Sequence, residues 1–253
     1  MAKPDVTVPR QQPVPDGPEG DEGDVTVMGC LKGGSTKTTT TNYLAFVRAQ
    51  RRKRKTGKGK NLPVKVLDAD TVSQTTHSWY KEARDEGLTY PLDVERYPFE
   101  DLGDYLAELR ADGYDVFVDV GGGNVALFHK ALRQADRLVV PLSPSGFDTK
   151  RIEPTFQEAA TVFEENVRGG FETHLLLSRK MSDKQAREAR EKVAPLRFRG
   201  EPLPILDTEV EQLIEYTRVL GKVPTNLDEY TEVWDEIMRR EAAKRAALKV
   251  AAG

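Results

Sequence analysis

The stretch from Val25 to Val47 limits what this chain can fold into more than any other. Val25 to Met28 is a short apolar run and reads as a buried strand. Thr40 to Val47 reads as a helix with Tyr43, Leu44, Phe46 and Val47 on its apolar face. Between them lies Gly29-Cys30-Leu31-Lys32-Gly33-Gly34-Ser35-Thr36-Lys37-Thr38-Thr39. Strand, glycine loop, Lys-Thr and helix, in that order, is how a phosphate-binding loop is built. Backbone N–H groups of the loop and of the open first helical turn converge on one spot and bind an anion. Lys37 brings a mobile cation to the β- and γ-phosphates, and the Thr38 hydroxyl can reach a Mg²⁺ ion. The strict pattern G-x-x-x-x-G-K-[ST] is not met, because Thr36 and Leu31 occupy its two glycine positions.

Composition narrows the class. The chain has 253 residues, room for one large α/β domain with a real core. Charged residues make up 31% and hydrophobic ones 38%, ordinary for a soluble protein, and the net charge of −3 hides an uneven distribution. A single cysteine excludes an intramolecular disulfide and a cysteine-based metal cluster, and Cys30 reads as a small buried residue. His77, His129 and His174 show no ligand spacing. No apolar run is long enough to span a bilayer and no signal peptide is visible, so a cytoplasmic location is the expectation.

In chain order, residues 1–24 are rich in proline, glycine and acid and are expected to be a disordered tail. Residues 25–253 form a single domain. After the first helix, Arg48 to Lys60 is densely basic. It is equally compatible with a solvated helix end and with an arm that contacts DNA phosphates. Val64 to Leu67 is a second strand and ends in Asp68-Ala69-Asp70. Helices are expected over His77–Glu86 and Phe99–Ala111, with a strand over Tyr90–Val94 between them. Tyr114 to Val120 is an apolar strand that delivers Asp119 at its end, followed by Gly121, Gly122 and Gly123. A carboxylate there can bind Mg²⁺ directly or through water. A strand over Ala135–Pro144, a helix over Ile152–Val167, a strand over Glu172–Arg179 and a helix over Asp183–Val193 follow. Leu203–Leu206 reads as a last short strand, with helices over Glu209–Leu220 and Tyr230–Val250. Strands alternating with helices predict a mostly parallel, twisted sheet with helices on both faces, a three-layer α/β architecture with its ligand at the strand C-terminal ends.

The Lys-Gly-Gly-x-x-Lys-Thr-Thr run resembles the deviant Walker A motif of the ParA/MinD ATPases, P-loop proteins with an additional signature lysine, here Lys32. Asp68-x-Asp70 is similar to the Asp-x-Asp of their switch I, with Thr71 and Val72 in place of Pro and Gln. The Asp119 segment resembles their Walker B and switch II, with glycines where prolines are usual, and Ala135 to Pro144 resembles their next strand. The resemblance spans Val25 to Glu241. It implies ATP and Mg²⁺ held by Lys32, Gly33, Gly34, Ser35, Thr36, Lys37, Thr38 and Thr39, with Thr38 and Asp119 at the metal. It implies catalytic roles for Lys32, Lys37 and Asp70, with Asp70 acting on the attacking water. Thr36 stands where the family most often has glycine, which implies slow turnover. Ser178 and Arg179 lie where the family approaches the base.

The resemblance further implies an ATPase that partitions or positions DNA: an ATP-dependent homodimer that binds DNA without sequence preference and is stimulated by a ParB-like partner, associated with nucleoid or plasmid. A MinD-like positioning ATPase, a VirC-type DNA-transfer ATPase and a small-molecule enzyme of the dethiobiotin synthetase type remain as alternatives. The segment Ala242 to Gly253 has only Leu248 and Val250 as larger apolar residues, too little for strong insertion into a membrane.

Overall fold

The computed structural model describes residues 23–31, 36–56, 64–73, 75–90, 92–144, 149–213, 216 and 220–252. Six strands form one sheet: β1 (Val25–Met28), β2 (Val64–Asp68), β3 (Asp93–Arg96), β4 (Asp115–Asp119), β5 (Arg137–Leu142) and β6 (Glu172–Leu177). Their order is β3-β2-β4-β1-β5-β6, and every neighbouring pair is parallel. The helices are α1 (Lys37–Thr56), α2 (Thr75–Asp85), α3 (Leu102–Ala111), α4 (Val125–Gln134), α5 (Ile152–Thr161), α6 (Asp183–Val193) and α7 (Asp228–Ala252). A small antiparallel hairpin, β7 (Arg197–Phe198) and β8 (Glu201–Pro202), follows α6.

Successive strand residues point to opposite faces, and both faces are apolar, so both must be covered. Leu67, Val116, Val118, Leu138, Val140 and Leu175 share a core with residues of α3 to α6. Val66, Phe117, Val139 and Leu176 share one with residues of α1, α2 and α7. This is the three-layer α/β architecture that the alternation of strands and helices predicts. Helix α1 leaves β1 toward one face and α4 leaves β4 toward the other, so a crevice opens at the C-terminal ends of those two neighbouring strands.

Several boundaries differ from the sequence reading. Helix α4 is absent from that reading, although Leu127, Phe128, Ala131 and Leu132 recur at helical spacing and Asn124 caps it by accepting the Leu127 N–H at 3.0 Å. Strand β3 lies later than Tyr90–Val94. Its register is pinned by Lys65 of β2, whose Nζ reaches Asp93 at 3.0 Å and Glu95 at 2.8 Å. Helix α5 stops at Thr161. Residues 209–213 are not helical. They prolong the edge beyond β6 through Val210 N–H to the Leu177 carbonyl, Lys180 N–H to the Val210 carbonyl and Gln212 N–H to the Lys180 carbonyl, each 2.9 Å. Gly23 and Asp24, placed in the tail by composition, are packed: Asp24 is buried and pairs with Arg137 at 3.0 Å.

Candidate functional site

The crevice at the ends of β1 and β4 is a cleft of about 570 Å³. Its floor is the N-terminus of α1. The first intrahelical donor is the Thr40 N–H, which bonds the Thr36 carbonyl at 2.9 Å, so the amides before it face the cleft's end of the helix. Thr36, Lys37, Thr38 and Thr39 all line the cleft. Lys32, Gly33, Gly34 and Ser35 lie outside the described residues.

Thr38 and Asp119 meet here. The Thr38 hydroxyl donates to Asp119 Oδ2 at 2.7 Å, and the Thr76 hydroxyl donates to the same oxygen at 2.8 Å. The two residues assigned to the metal from sequence are thus adjacent in space, 81 positions apart in the chain. A hydroxyl and a carboxylate in contact at the foot of a phosphate-binding helix form an oxygen donor set that suits Mg²⁺.

Asp70 stands at the rim after β2. Its Oδ1 accepts the N–H groups of Val72 (2.8 Å) and Ser73 (3.1 Å), and its Oδ2 accepts the Ser73 hydroxyl at 2.5 Å. Its back lies against Gly121: a Cβ at that glycine would come within 2.7 Å of Asp70 Cγ. The segment after β4 therefore needs glycine there because the Asp70 carboxylate occupies the space a side chain would fill.

The three carboxylates differ in state. Burial raises the Asp119 pKa, opposed by the Thr38 hydroxyl, the Lys37 charge and the Thr76 hydroxyl, and the net displacement is upward. Burial also pushes Asp68 up to about 6, with the Asp119 and Asp70 charges adding to it and the N–H groups of His77 and Asp70 opposing. For Asp70 burial is outweighed by its Ser73 and Val72 hydrogen bonds and by Lys37, which hold it below the ordinary carboxylate value. A pocket of raised carboxylates beside a lysine and a helix N-terminus favours a bound cation and a bound anion together.

Thr36 has φ of +62°, the left-handed region. A β-branched residue is strained there, and glycine would not be. Its hydroxyl lies 2.6 Å from that of Ser178, which follows β6. Ser178 and Arg179, named from sequence as neighbours of the base, both line the cleft. Sequence reasoning missed Asp68 and Thr76 as parts of this centre. It also missed the wall formed by Val210, Leu213, Tyr216 and Tyr230. Thr76 carried a weak signal, a hydroxyl in the first turn of a helix that follows Asp70. The wall carried none, since residues 209–213 read as helix.

The basic segment after the first helix is corrected in part. It continues α1 to Thr56 instead of leaving as an arm. Arg48 is buried, pairs with Asp115 at 2.5 Å and lies over the Trp234 ring. Arg51 pairs with Asp235. Residues 57–63 lie outside the described residues. Tyr43 contacts Tyr230 near the start of both helices, and Arg51 contacts Asp235 further along. Helices α1 and α7 therefore run in the same direction, away from the cleft. Among the described residues no helix is long and apolar enough to cross a membrane, and no group of histidine, cysteine and carboxylate side chains forms a metal cluster.

No family model matches this sequence, and no curated protein matches it. Solved structures do. A ParA family ATPase from Chlorobium tepidum has a TM-score of 0.55 at 14% identity, covering 85% of this chain and 98% of the other. MinD in the MinC:MinD cell division complex of Aquifex aeolicus has 0.57 at 16%, covering 87% and 96%. Cobyrinic acid a,c-diamide synthase from Mycobacterium smegmatis, with an ATP analogue and magnesium, has 0.63 at 16%, covering 86% and 94%. At such identities the likeness is one of fold, and the chain has the α/β P-loop fold shared by ParA/MinD-type ATPases and their relatives.

Proposed function

We propose that this protein is an ATPase of the deviant Walker A kind that positions or segregates DNA. The observation that carries the reading is the meeting of Thr38 with Asp119 at the start of α1, beside Lys37 and under a cleft of nucleotide size. In this reading ATP lies along the loop 32–39, with Lys32, Gly33, Gly34, Ser35, Thr36 and Thr39 contributing to its phosphate cradle. Lys37 neutralises the β- and γ-phosphates, and Thr38 and Asp119 hold Mg²⁺. Held there by Thr38 and Asp119, Mg²⁺ would supply positive charge against the charge that develops on the phosphates. Asp70 orients the attacking water. Its low pKa makes it a weak base, which suits orientation better than proton abstraction. Lys32 reaches the nucleotide of a second subunit, so that ATP drives a homodimer. A ParB-like partner stimulates hydrolysis. DNA is held without sequence preference by basic residues, either those of the segment after Arg51 or those of α7 from Arg239 to Lys249.

Two measurements on the full chain test this. Calorimetry should show that Lys37→Ala loses ATP binding. Cosedimentation with DNA should require ATP and should weaken steeply with salt through counterion release. Unchanged ATP affinity in Lys37→Ala removes the nucleotide assignment. A second reading, an ATP-dependent enzyme acting on a small molecule, is favoured by the TM-score of 0.63 to the diamide synthase. ATP binding without any DNA binding at low salt selects that reading over the first.

A further inference from the structure

Helix α7 is longer than the body it packs on. Up to Glu241 its inward face is buried, with Ile237, Met238 and Glu241 each 3% exposed or less. From Ala243 to Ala251 every residue is exposed. Positions four, seven and eight beyond Glu241 lie on the same side of the helix. They hold Arg245, Leu248 and Lys249. The face that meets the sheet at Glu241 therefore continues past it as an overhang, and Leu248, on that face, is 61% exposed.

The overhang carries one sign of charge. Residues 242–252 include Lys244, Arg245 and Lys249 and no acid. Lys244 pairs with Glu172 at 2.8 Å. Arg245 stands 3.6 Å from Glu241, a carboxylate already bound by Arg137 and His174. Lys249 has no ion pair among the described residues. The helix dipole accounts for a cation in the last turn, which is Lys249, but not for Lys244 and Arg245 a turn earlier.

The chain enters the fold beside this overhang. Asp24 precedes β1, and the Arg137 guanidinium bridges it to Glu241, at 3.0 and 3.2 Å. Gly23 is fixed in turn by its N–H on the Arg110 carbonyl at 3.2 Å. Residues 1–22, which lie outside the described residues, thus join the body one bridging side chain away from where α7 leaves it. The last seven of them, Asp16-Gly17-Pro18-Glu19-Gly20-Asp21-Glu22, hold four acids and no cation. Lengths match as well. From Glu241 to Lys249 the helix rises about 12 Å. An extended chain covers that in about four residues. Counted back from Gly23, those four are Glu22, Asp21, Gly20 and Glu19, so three acids come level with Arg245 and Lys249.

We propose that the acidic segment 16–22 of this chain docks on the overhang of α7, with Glu19, Asp21 and Glu22 against Arg245 and Lys249. Exposed ion pairs are weak one at a time. This segment is tethered at its own docking surface, and an effective concentration on the order of mM or more holds contacts that would not hold a separate peptide. The docking depends on neither the nucleotide nor the DNA assignment. It covers cations of α7, so any other polyanion that uses them has to displace it. Carbodiimide joins a carboxylate to an amine only where the two touch, and mass spectrometry reads the joined peptides. In the full chain at low salt, Glu19, Asp21 or Glu22 should be joined to Lys249 or Lys244. The yield should be unchanged on tenfold dilution and should fall at least about threefold at about 0.5 M salt. Trypsin gives a second reading, since it cuts after Arg245 and Lys249. The variant carrying Asp16→Asn, Glu19→Gln, Asp21→Asn and Glu22→Gln should be cut there about threefold faster than wild type. Joins to Lys184 or Lys192 of α6 as frequent as those to Lys249, a yield that rises with protein concentration, or equal cutting of variant and wild type would each overturn the proposal.

Discussion

Arg137 lies between two buried carboxylates, Asp24 and Glu241, and replacing it with methionine should invert how stability depends on pH. The side chain is 1% exposed in β5 and ties three elements together. It reaches Asp24 before β1 at 3.0 Å, Thr26 of β1 at 2.9 Å, and both oxygens of Glu241 in α7 at 2.9 and 3.2 Å. Removing one partner of a buried pair costs about 3–5 kcal/mol, because the other charge is left in a poor solvent for it. His174 and Arg245 remain beside Glu241, the latter at 3.6 Å, so the lower end, about 3 kcal/mol, applies. For a domain of this size that lowers Tm by about 6–12 °C.

The sign with pH follows from the same contacts. Burial alone raises the Glu241 pKa, but the Arg137 charge, with His174, outweighs it and brings the group down to about 2 from 4.5. A depressed carboxylate contributes stability that is present above its unfolded pKa and is lost as pH falls toward the folded one. The wild type should therefore lose stability in acid below about pH 4.5. Without Arg137, burial dominates and the folded pKa of Glu241 rises above the unfolded value. Arg137→Met should then gain stability as pH falls from about 7 to about 5, where the wild type changes little. Urea unfolding at the two pH values measures this, and adding Glu241→Gln to the variant should recover part of the loss. A loss below about 1 kcal/mol, or a pH dependence like the wild type's, would refute the reasoning.

Asp70→Ala should bind ATP and dimerise but hydrolyse it about 10²-fold or more slowly, with longer residence on DNA; wild-type phosphate release would exclude its role at the water. Gly121→Ala places a Cβ within 2.7 Å of Asp70 Cγ and should slow hydrolysis at least about tenfold while ATP affinity persists, as single-turnover assays would reveal. Thr36→Gly relieves a left-handed backbone strain of about 1–2 kcal/mol. It gives back about 0.5–1 kcal/mol in chain entropy and about 1 kcal/mol in the lost contact with Ser178. Stability should therefore stay within about 1 kcal/mol of wild type, while turnover rises severalfold; unchanged turnover would show that Thr36 does not limit the loop.

The order of apolar runs and amphipathic stretches was enough to predict a parallel three-layer sheet, because burial on both faces leaves a long-lived pattern in consecutive residues. Lys37, Thr38, Asp70 and Asp119 could be named for the same reason: each sits at the end of a strand or the start of a helix, positions that local pattern marks. What pattern could not carry was any partnership between distant residues of ordinary type. Thr76 joins Asp119 across 43 positions, and Asp68 is a raised carboxylate chiefly because the fold buries it, with Asp119 beside it adding to the effect. The basic run after α1 read as a charge cluster. The fold turned its first arginines inward, since α7 lays Trp234 and Asp235 against them and β4 supplies Asp115. Residues 209–213 became sheet edge because β6 offered unpaired carbonyls, an opportunity that exists only once the sheet has formed. Sequence alone determined the layers and the strand-end chemistry, which depend on neighbours in the chain. Tertiary structure decided the centre's second carboxylate, the cleft wall and the fate of the charges, which depend on neighbours in space.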